Sequence, residues 1–239
     1  MSDVCDVLPW DSDFFGYPVA RVRGGTMDAA GVSDIDSWCG AHGTRLVYFL
    51  ADDHPPSWAV AADAGFRLVD IRVELVLDKT WPRLPASRSN VTLREAVPGD
   101  LDDLLPIAAS VHTDSRFFTD ERIARDKAHE LFAFWLRRSV ERTLADVVFV
   151  ADIDGRAVAY LSAKCANGVG NIGLVGVGEA ARGRGVGLSL VQRAIEWFTA
   201  QGANEVSVVT QGRNIMAQRV YQRCGFLTRS TRLWFHRWY

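Results

Sequence analysis

From Asn171 to Leu188 the chain reads NIGLVGVGEAARGRGVGL, an apolar stretch that stops at a glycine-rich loop. Leu188, Leu190, Val191, Ala194, Ile195 and Trp197 then recur at helical spacing and predict a helix from about Val186. Glu205 to Thr210 alternates as a strand. Asn214 suits the N-cap of a further helix that carries Ala217 and Tyr221 and exits at Cys224-Gly225-Phe226. Upstream, Val19 to Val22, Leu46 to Leu50 and Ile71 to Leu77 read as strands, separated by helices over about Asp28 to Ala41 and Ser57 to Ala64. Val91 to Arg94 predicts another strand. A helix starting at Gly99-Asp100 and bent by Pro106, and a long helix over Asp120 to Arg142, follow it. Asp146 to Ala151 and Ala157 to Ala163 form a hairpin through the Asp154-Gly155 turn.

The pattern repeats. Laying residues 45–78 on 205–238 needs no gap: Leu46 to Phe49 falls on Val206 to Val209, and Ala64-Gly65-Phe66 on Cys224-Gly225-Phe226. In this register Ala61 stands where Tyr221 does, and no glycine-rich loop precedes the first copy. Residues 79–89 are rich in Pro, Ser and Arg and read as a linker. The expected organisation is therefore a truncated half over 1–88 and a complete domain over 89–239, in an α/β class with a mixed sheet.

Composition narrows the function classes. The 239 residues are 48% hydrophobic with a net charge of -2, a soluble globular balance. No apolar run approaches the ~18 residues of a membrane helix, and the acidic start MSDVCDVLPW differs from a signal peptide, so the expected location is cytoplasmic. Cys5, Cys39, Cys165 and Cys224 stand apart, without metal-ligand spacing, so no metal is expected. Residues 1–88 hold 8 basic and 13 acidic side chains, against 19 and 16 over 89–239. The mildly basic second part suits a polyanionic cofactor, and its excess is too small for nucleic acid.

The loop carries the chemistry. Gly183, Gly185 and Gly187 remove Cβ atoms where backbone amides at a helix N-terminus can meet a phosphate. The same glycines also suit a plain strand-to-helix turn. The loop lacks the Lys-Ser/Thr of a P-loop, and no acidic residue follows at dinucleotide-binding spacing. Two other segments stand out. Trp10 to Pro18 packs aromatics round Asp11 and Asp13, which reads as a core cap or as part of an acceptor pocket. His112-Thr113-Asp114-Ser115-Arg116-Phe117-Phe118 reads as a solvated loop or a pocket wall, and His129-Glu130 lacks the second His of a zincin motif.

Arg182-x-x-Gly185-x-Gly187 followed by the Asn214-x-x-Ala217-x-x-x-Tyr221 helix resembles the GNAT superfamily of acyl-CoA-dependent N-acyltransferases. The resemblance implies a GNAT fold preceded by a truncated GNAT-like domain, with acetyl-CoA as donor. It implies that Arg182, Gly183, Arg184, Gly185, Val186, Gly187 and Leu188 hold the pyrophosphate. Val175 and Val177 of a splayed strand, with Asn214 and Ala217, then line the rest of the donor site. Tyr221 becomes the general acid at the thioester sulfur. Trp-Asp-Ser-x-Phe-Phe-Gly at 10–16, the linker and the segment from His112 resemble one subgroup, the TDP-fucosamine acetyltransferase type. That resemblance implies a small-molecule amine acceptor, a nucleotide sugar, with Asp11, His112, Asp114, Arg116 and Phe117 as acceptor-side candidates. The general base stays open among Asp114, His112, Asp11 and a water chain, and a homodimer stays open too. Another small amine or a protein N-terminus as acceptor, and a non-catalytic acyl-CoA-sensing module, are the alternatives.

Overall fold

The computed structural model describes residues 4–78 and 91–239; the expected linker, and the boundary at 88/89 with it, lies outside the described residues. The elements are β1 (Cys5–Val7), α1 (Pro9–Phe15), β2 (Val19–Val22), α2 (Ala29–His42), β3 (Leu46–Ala51), α3 (Pro55–Asp63) and β4 (Arg67–Leu77). After the undescribed stretch come β5 (Thr92–Glu95), α4 (Leu101–Val111), α5 (Arg116–Thr119), α6 (Arg125–Val140), β6 (Val147–Ile153), β7 (Arg156–Ala166) and β8 (Val169–Val177). The chain ends with α7 (Val186–Ala200), β9 (Glu205–Gln211), α8 (Ile215–Arg223) and β10 (Phe226–Trp238). Packing sorts these into two units, neither of them one continuous piece of chain. Among the described residues the first holds 4–72, Ser115–Arg122 and Thr231–Tyr239, and the second 73–78, 91–114 and Ile123–Ser230.

In the first unit β1 pairs antiparallel with β2, β2 parallel with β3, and β3 antiparallel with the end of β10. β3 is an unbroken apolar run, as a strand covered on both faces requires. Val47 and Phe49 pack with Ile35 and Cys39 of α2 and Ala61 of α3, while Tyr48 turns to the other face beside Trp234 and His236.

In the second unit the order is β10-β4-β9-β8-β7-β6-β5. The hairpins β6/β7 and β7/β8 turn at Asp154-Gly155 and Asn167-Gly168, with φ of 53° and 82°, and 52° and 76°. Two consecutive left-handed residues are what a two-residue type I′ turn needs, and Asp-Gly and Asn-Gly supply them. One face of this sheet packs Val148, Val150 and Tyr160 against Leu104 and Ala108 of α4 and Leu136 of α6. The opposite face packs Phe149, Leu161, Ile172 and Val208 against Leu190, Val191, Ala194 and Phe198 of α7 and Tyr221 of α8.

The repeat read from the sequence carries through to the backbone. In its register α3 falls on α8 end to end, and Gly65 (φ 85°) falls on Gly225 (φ 88°). His54 falls on Asn214, and each side chain caps its helix by accepting from the backbone amide three residues on, Ser57 and Ala217. Differences from expectation are local. The long helix begins at Arg125 rather than Asp120, because the Asp120 carboxylate accepts from Trp238 and bonds His236, which holds its backbone extended. β1, α1 and the single turn α5 were not expected at all.

Candidate active site

The strand before the loop leaves its neighbour part-way. β8 pairs parallel with β9 from Val169↔Glu205 to Ile172↔Val208, and there the pairing ends, although both strands continue to Val177 and Gln211. Against β7 the register slips at the same place: Ala163 faces Ile172, while Leu161 faces Val175. Gly173 and Leu174 thus oppose Ser162 alone, a β-bulge that bends the strand. Ser162 Oγ fills the bulge, accepting from the Leu174 amide at 2.7 Å, and a Cβ on Gly173 would meet that oxygen at 2.7 Å. Beyond the bulge the Gly178 amide donates to the Val158 carbonyl of β7. By the alternation of an antiparallel ladder, Val175 and Val177 then turn their backbone groups to the opposite edge, the one β9 has left.

That open edge leads into the loop. Gly183 and Gly185 have φ of 75° and 77°, and a Cβ at either would meet no atom of the described residues within 4 Å, so among these the space beside the loop is open. Gly185 is the N-cap of α7, and no side chain caps this helix. The first amides of α7, at Val186, Gly187 and Leu188, have no acceptor within the helix, and the first turn carries the positive end of the helix dipole. By contrast, Asp28 caps α2 and Asn214 caps α8 with their own oxygens. Arg182 and Arg184 are exposed, and Arg182 Nε donates to the Val177 carbonyl at 3.4 Å. Gly187 faces β8, its Cβ position lying at ordinary contact distance, 3.7 Å, from Val177 Cγ2. An uncapped, open, glycine-lined helix N-terminus with two arginines fits a pyrophosphate.

Tyr221 stands in the same cluster as Val175, Val177 and Ala217. It is 4% exposed, with Phe226 edge-on at 5.9 Å, and burial pushes its hydroxyl well above the usual tyrosine range. Asn214 Oδ1 accepts from the Ala217 amide at 3.1 Å, so Asn214 serves the site through the helix it starts.

The acceptor-side candidates divide between the units. His112 and Asp114 belong to the second, while Asp11, Arg116 and Phe117 belong to the first. His112 Nε2 lies 2.8 Å from the Tyr160 hydroxyl, its ring stacks on Phe132 at 4.4 Å, and burial lowers its pKa to about 4. Tyr160 in turn fills the space over Gly176, where a Cβ would come within 2.5 Å of the ring. His129 bonds the Ala109 carbonyl, a structural contact. In the first unit α1 lays Trp10 on Phe14 and Phe15 on both Tyr17 and Phe117. Arg116 lies beside the rings of Tyr48, Phe117 and Trp234, at 4.1, 4.4 and 4.2 Å from their centroids. Asp11 is pushed up by burial, with the Arg116 charge and the Tyr48 hydroxyl opposing that shift. Sequence reasoning passed over Tyr48, Asp120, Trp234 and His236, which this geometry joins to Arg116 from distant parts of the chain. Three of the four sit in strands where nothing local marks them. Among the described residues no group of acidic, His or Cys side chains could hold a metal ion, and no helix is long and apolar enough to cross a membrane.

Residues 110–226, which include the bulged strand, the loop and the Tyr221 helix, match the family model of the Acetyltransferase (GNAT) family. The chain belongs to the GNAT family. Acetyl-CoA is the donor these acetyltransferases use. Among the relatives of this GNAT chain, the spore coat polysaccharide biosynthesis protein SpsD of Bacillus subtilis is 30% identical over 59% of the chain and 48% of its own length. The chain thus spans about half of that relative. The dTDP-fucosamine acetyltransferase of Escherichia coli is 27% identical over 96% of both chains. The mycothiol acetyltransferase of Amycolatopsis mediterranei is 25% identical over 92% of this chain and 73% of its own. The fold is shared with a GCN5-related N-acetyltransferase from Sphaerobacter thermophilus, at a TM-score of 0.68 and 20% identity over 98% of this chain and 76% of that one.

Proposed function

We propose that the protein transfers an acetyl group from acetyl-CoA to the amino group of a nucleotide-linked amino sugar, of the TDP-4-amino-4,6-dideoxyhexose class. The observation that carries the transfer chemistry is the parting of β8 from β9 after Ile172↔Val208, which leaves backbone donors of Val175 and Val177 without β9 partners, in strand residues that pack on the same cluster as Tyr221. In this reading the α7 N-terminus, with Arg182 to Leu188, holds the pyrophosphate, and the pantetheine arm lies along the open edge of β8. The amine nitrogen attacks the thioester carbonyl, and a backbone amide of β8 takes the developing oxyanion, a preorganised donor of a type worth about 3 kcal/mol. The tetrahedral intermediate collapses as the C–S bond breaks with its electron pair on sulfur, and Tyr221 gives that sulfur its proton. Burial suits Tyr221 to this role by keeping the proton on the hydroxyl until the thiolate forms. No covalent enzyme intermediate is needed.

The acceptor class rests on the likeness to the E. coli enzyme over 96% of both chains, which includes the N-terminal region that the family model leaves out. Residues 1–88 act, in this reading, as a non-catalytic GNAT-like half that helps to recognise a large acceptor. Asp11, His112, Asp114, Arg116 and Phe117 remain the acceptor-side candidates, and the protein works in the cytoplasm. The likeness to mycothiol acetyltransferases favours a second reading, in which the acceptor is another small amine. CoA thiol release with the TDP-amino sugar, the free amino sugar and small amines separates the two. The first reading expects the free sugar to react far more slowly, because the binding energy of the remote nucleotide is lost. Comparable rates on the free and TDP-linked sugar defeat it.

A further inference from the structure

Arg116 carries a charge that the fold encloses, with the Asp11 and Asp70 carboxyls acting on it only through space and burial outweighing them. Its guanidinium lies among three aromatic rings, and its one hydrogen bond among the described residues runs from Nη1 to His236 Nε2 at 3.2 Å. A guanidinium only donates, so His236 Nε2 must accept and the ring proton sits on Nδ1. That Nδ1–H donates to Asp120 Oδ2 at 2.7 Å, and Asp120 Oδ2 also accepts from Trp238 Nε1 at 2.9 Å. His236 is 1% and Asp120 9% exposed, so the chain Asp120, His236, Arg116 is fixed inside the first unit. Burial lowers the His236 pKa to about 4, so the ring facing Arg116 is neutral at neutral pH.

Two more polar groups matter here. Among the described residues the hydroxyls of Tyr48, 1% exposed, and Ser115, 5% exposed, have no partner at hydrogen-bond distance, and the Tyr48 hydroxyl favours the Asp11 carboxylate from beyond it. An enclosed cation whose one hydrogen bond among the described residues goes to a neutral ring, and which no carboxylate there contacts directly, gains from an anion that does, and unpaired buried hydroxyls add to that gain. Arg116 itself keeps part of its surface open. Asp11 stands near enough to feel the Arg116 charge and offers a carboxyl to hydroxyl or amino groups. Oxyanion-binding donors beside an acceptor suit a ligand that carries phosphate oxygens together with hydroxyl or amino donors.

We propose that Arg116 and Tyr48 bind the diphosphate of the acceptor, and that His236, held by Asp120, is the positioning residue that aims the Arg116 fork at it. The proposal rests on the nucleotide-sugar reading of the function. The test is calorimetry on the full chain with TDP alone as probe, and with CoA titrated separately as a control for folding and for the donor site. The wild type should bind TDP. Arg116→Met should weaken TDP by about 10–100-fold, the range for losing a hydrogen bond to a charged group, with CoA affinity unchanged. His236→Phe, which removes the acceptor, should weaken TDP by about tenfold and raise the KM for the TDP-amino sugar, leaving kcat and the KM for acetyl-CoA near wild type. His236→Gln, which keeps an amide oxygen for Arg116, should restore most of the loss. If Arg116→Met does not fold, Tyr48→Phe and the two His236 variants carry the test, and TDP affinity equal to wild type in all three overturns the proposal. Wild-type TDP affinity in a folded Arg116→Met overturns the subsite and leaves the nucleotide-sugar reading standing. Absence of TDP binding by the wild type overturns both.

Discussion

Tyr221 shows what a single residue adds to a repeated frame. In the repeat register its place in the first half is taken by Ala61, fully buried, at the same turn of a helix that begins from the same kind of side-chain cap. The two halves thus share the local structure and differ in the hydroxyl. If that hydroxyl acts only as the thiolate departs, Tyr221→Phe should lower kcat by about 10²–10⁴-fold, the usual range for a general acid, with CoA affinity unchanged. Thiol-release kinetics beside CoA calorimetry check this, and an undiminished rate sinks the assignment. His112 gains no comparable role as a base. With its pKa near 4 and its Nε2 engaged by Tyr160, it would hold a proton poorly at neutral pH.

At the scale of elements, α7 and α8 make separable predictions. Gly185 sits at φ 77°, and a Cβ there meets no atom of the described residues, so Gly185→Val suffers chiefly from its left-handed backbone, at a cost of about 1–2 kcal/mol. Its methyl groups would also stand over the amides of the loop. Stability should fall modestly while CoA affinity falls at least tenfold, and a wild-type dissociation constant by calorimetry would mean that the cofactor lies elsewhere. Asn214→Ala removes the only side-chain cap of α8, and should cost about 1 kcal/mol in denaturant unfolding and lower turnover by loosening the helix that carries Tyr221. Both elements were legible in the sequence because their signals are local: glycines at a turn, a cap residue, an apolar stripe. The start of α6 was not. Asp120 reads as a helix residue until its carboxylate is seen to serve His236 and Trp238, 116 and 118 positions away. The parting of β8 from β9 was legible only through family resemblance, since a strand pattern does not encode where pairing stops. Gly173 and Ser162, which make the bulge, have no signature apart from each other.

At the scale of the whole molecule, the packing units cut across the chain order, and the distant residues that meet in the first unit include a titrating pair. Each unit buries one histidine whose pKa is lowered from 6.5 to about 4: His112 in the second, chiefly by burial, and His236 in the first, by burial with Arg116 adding and Asp120 opposing. A lowered histidine pKa means that the unfolded chain binds the proton first as pH falls. The stability these histidines contribute is therefore fully present above about pH 6.5 and is lost progressively as pH falls toward 4. Near pH 5 each should account for about one proton taken up on unfolding, and from pH 7 to pH 5 for about 2 kcal/mol. The Asp120 carboxyl is lowered as well, so its contribution is lost only further down, below the ordinary carboxylate range. Denaturant unfolding of the wild type, His112→Gln and His236→Gln at pH 7 and pH 5 tests this. Each variant should lose less stability than the wild type over that interval, and their effects should add because among the described residues the two rings share no partner. A pH dependence of stability identical in His236→Gln and wild type would show that His236 keeps an ordinary histidine pKa, and below about pH 6.5 the guanidinium of Arg116 would then face a charged ring instead of an acceptor.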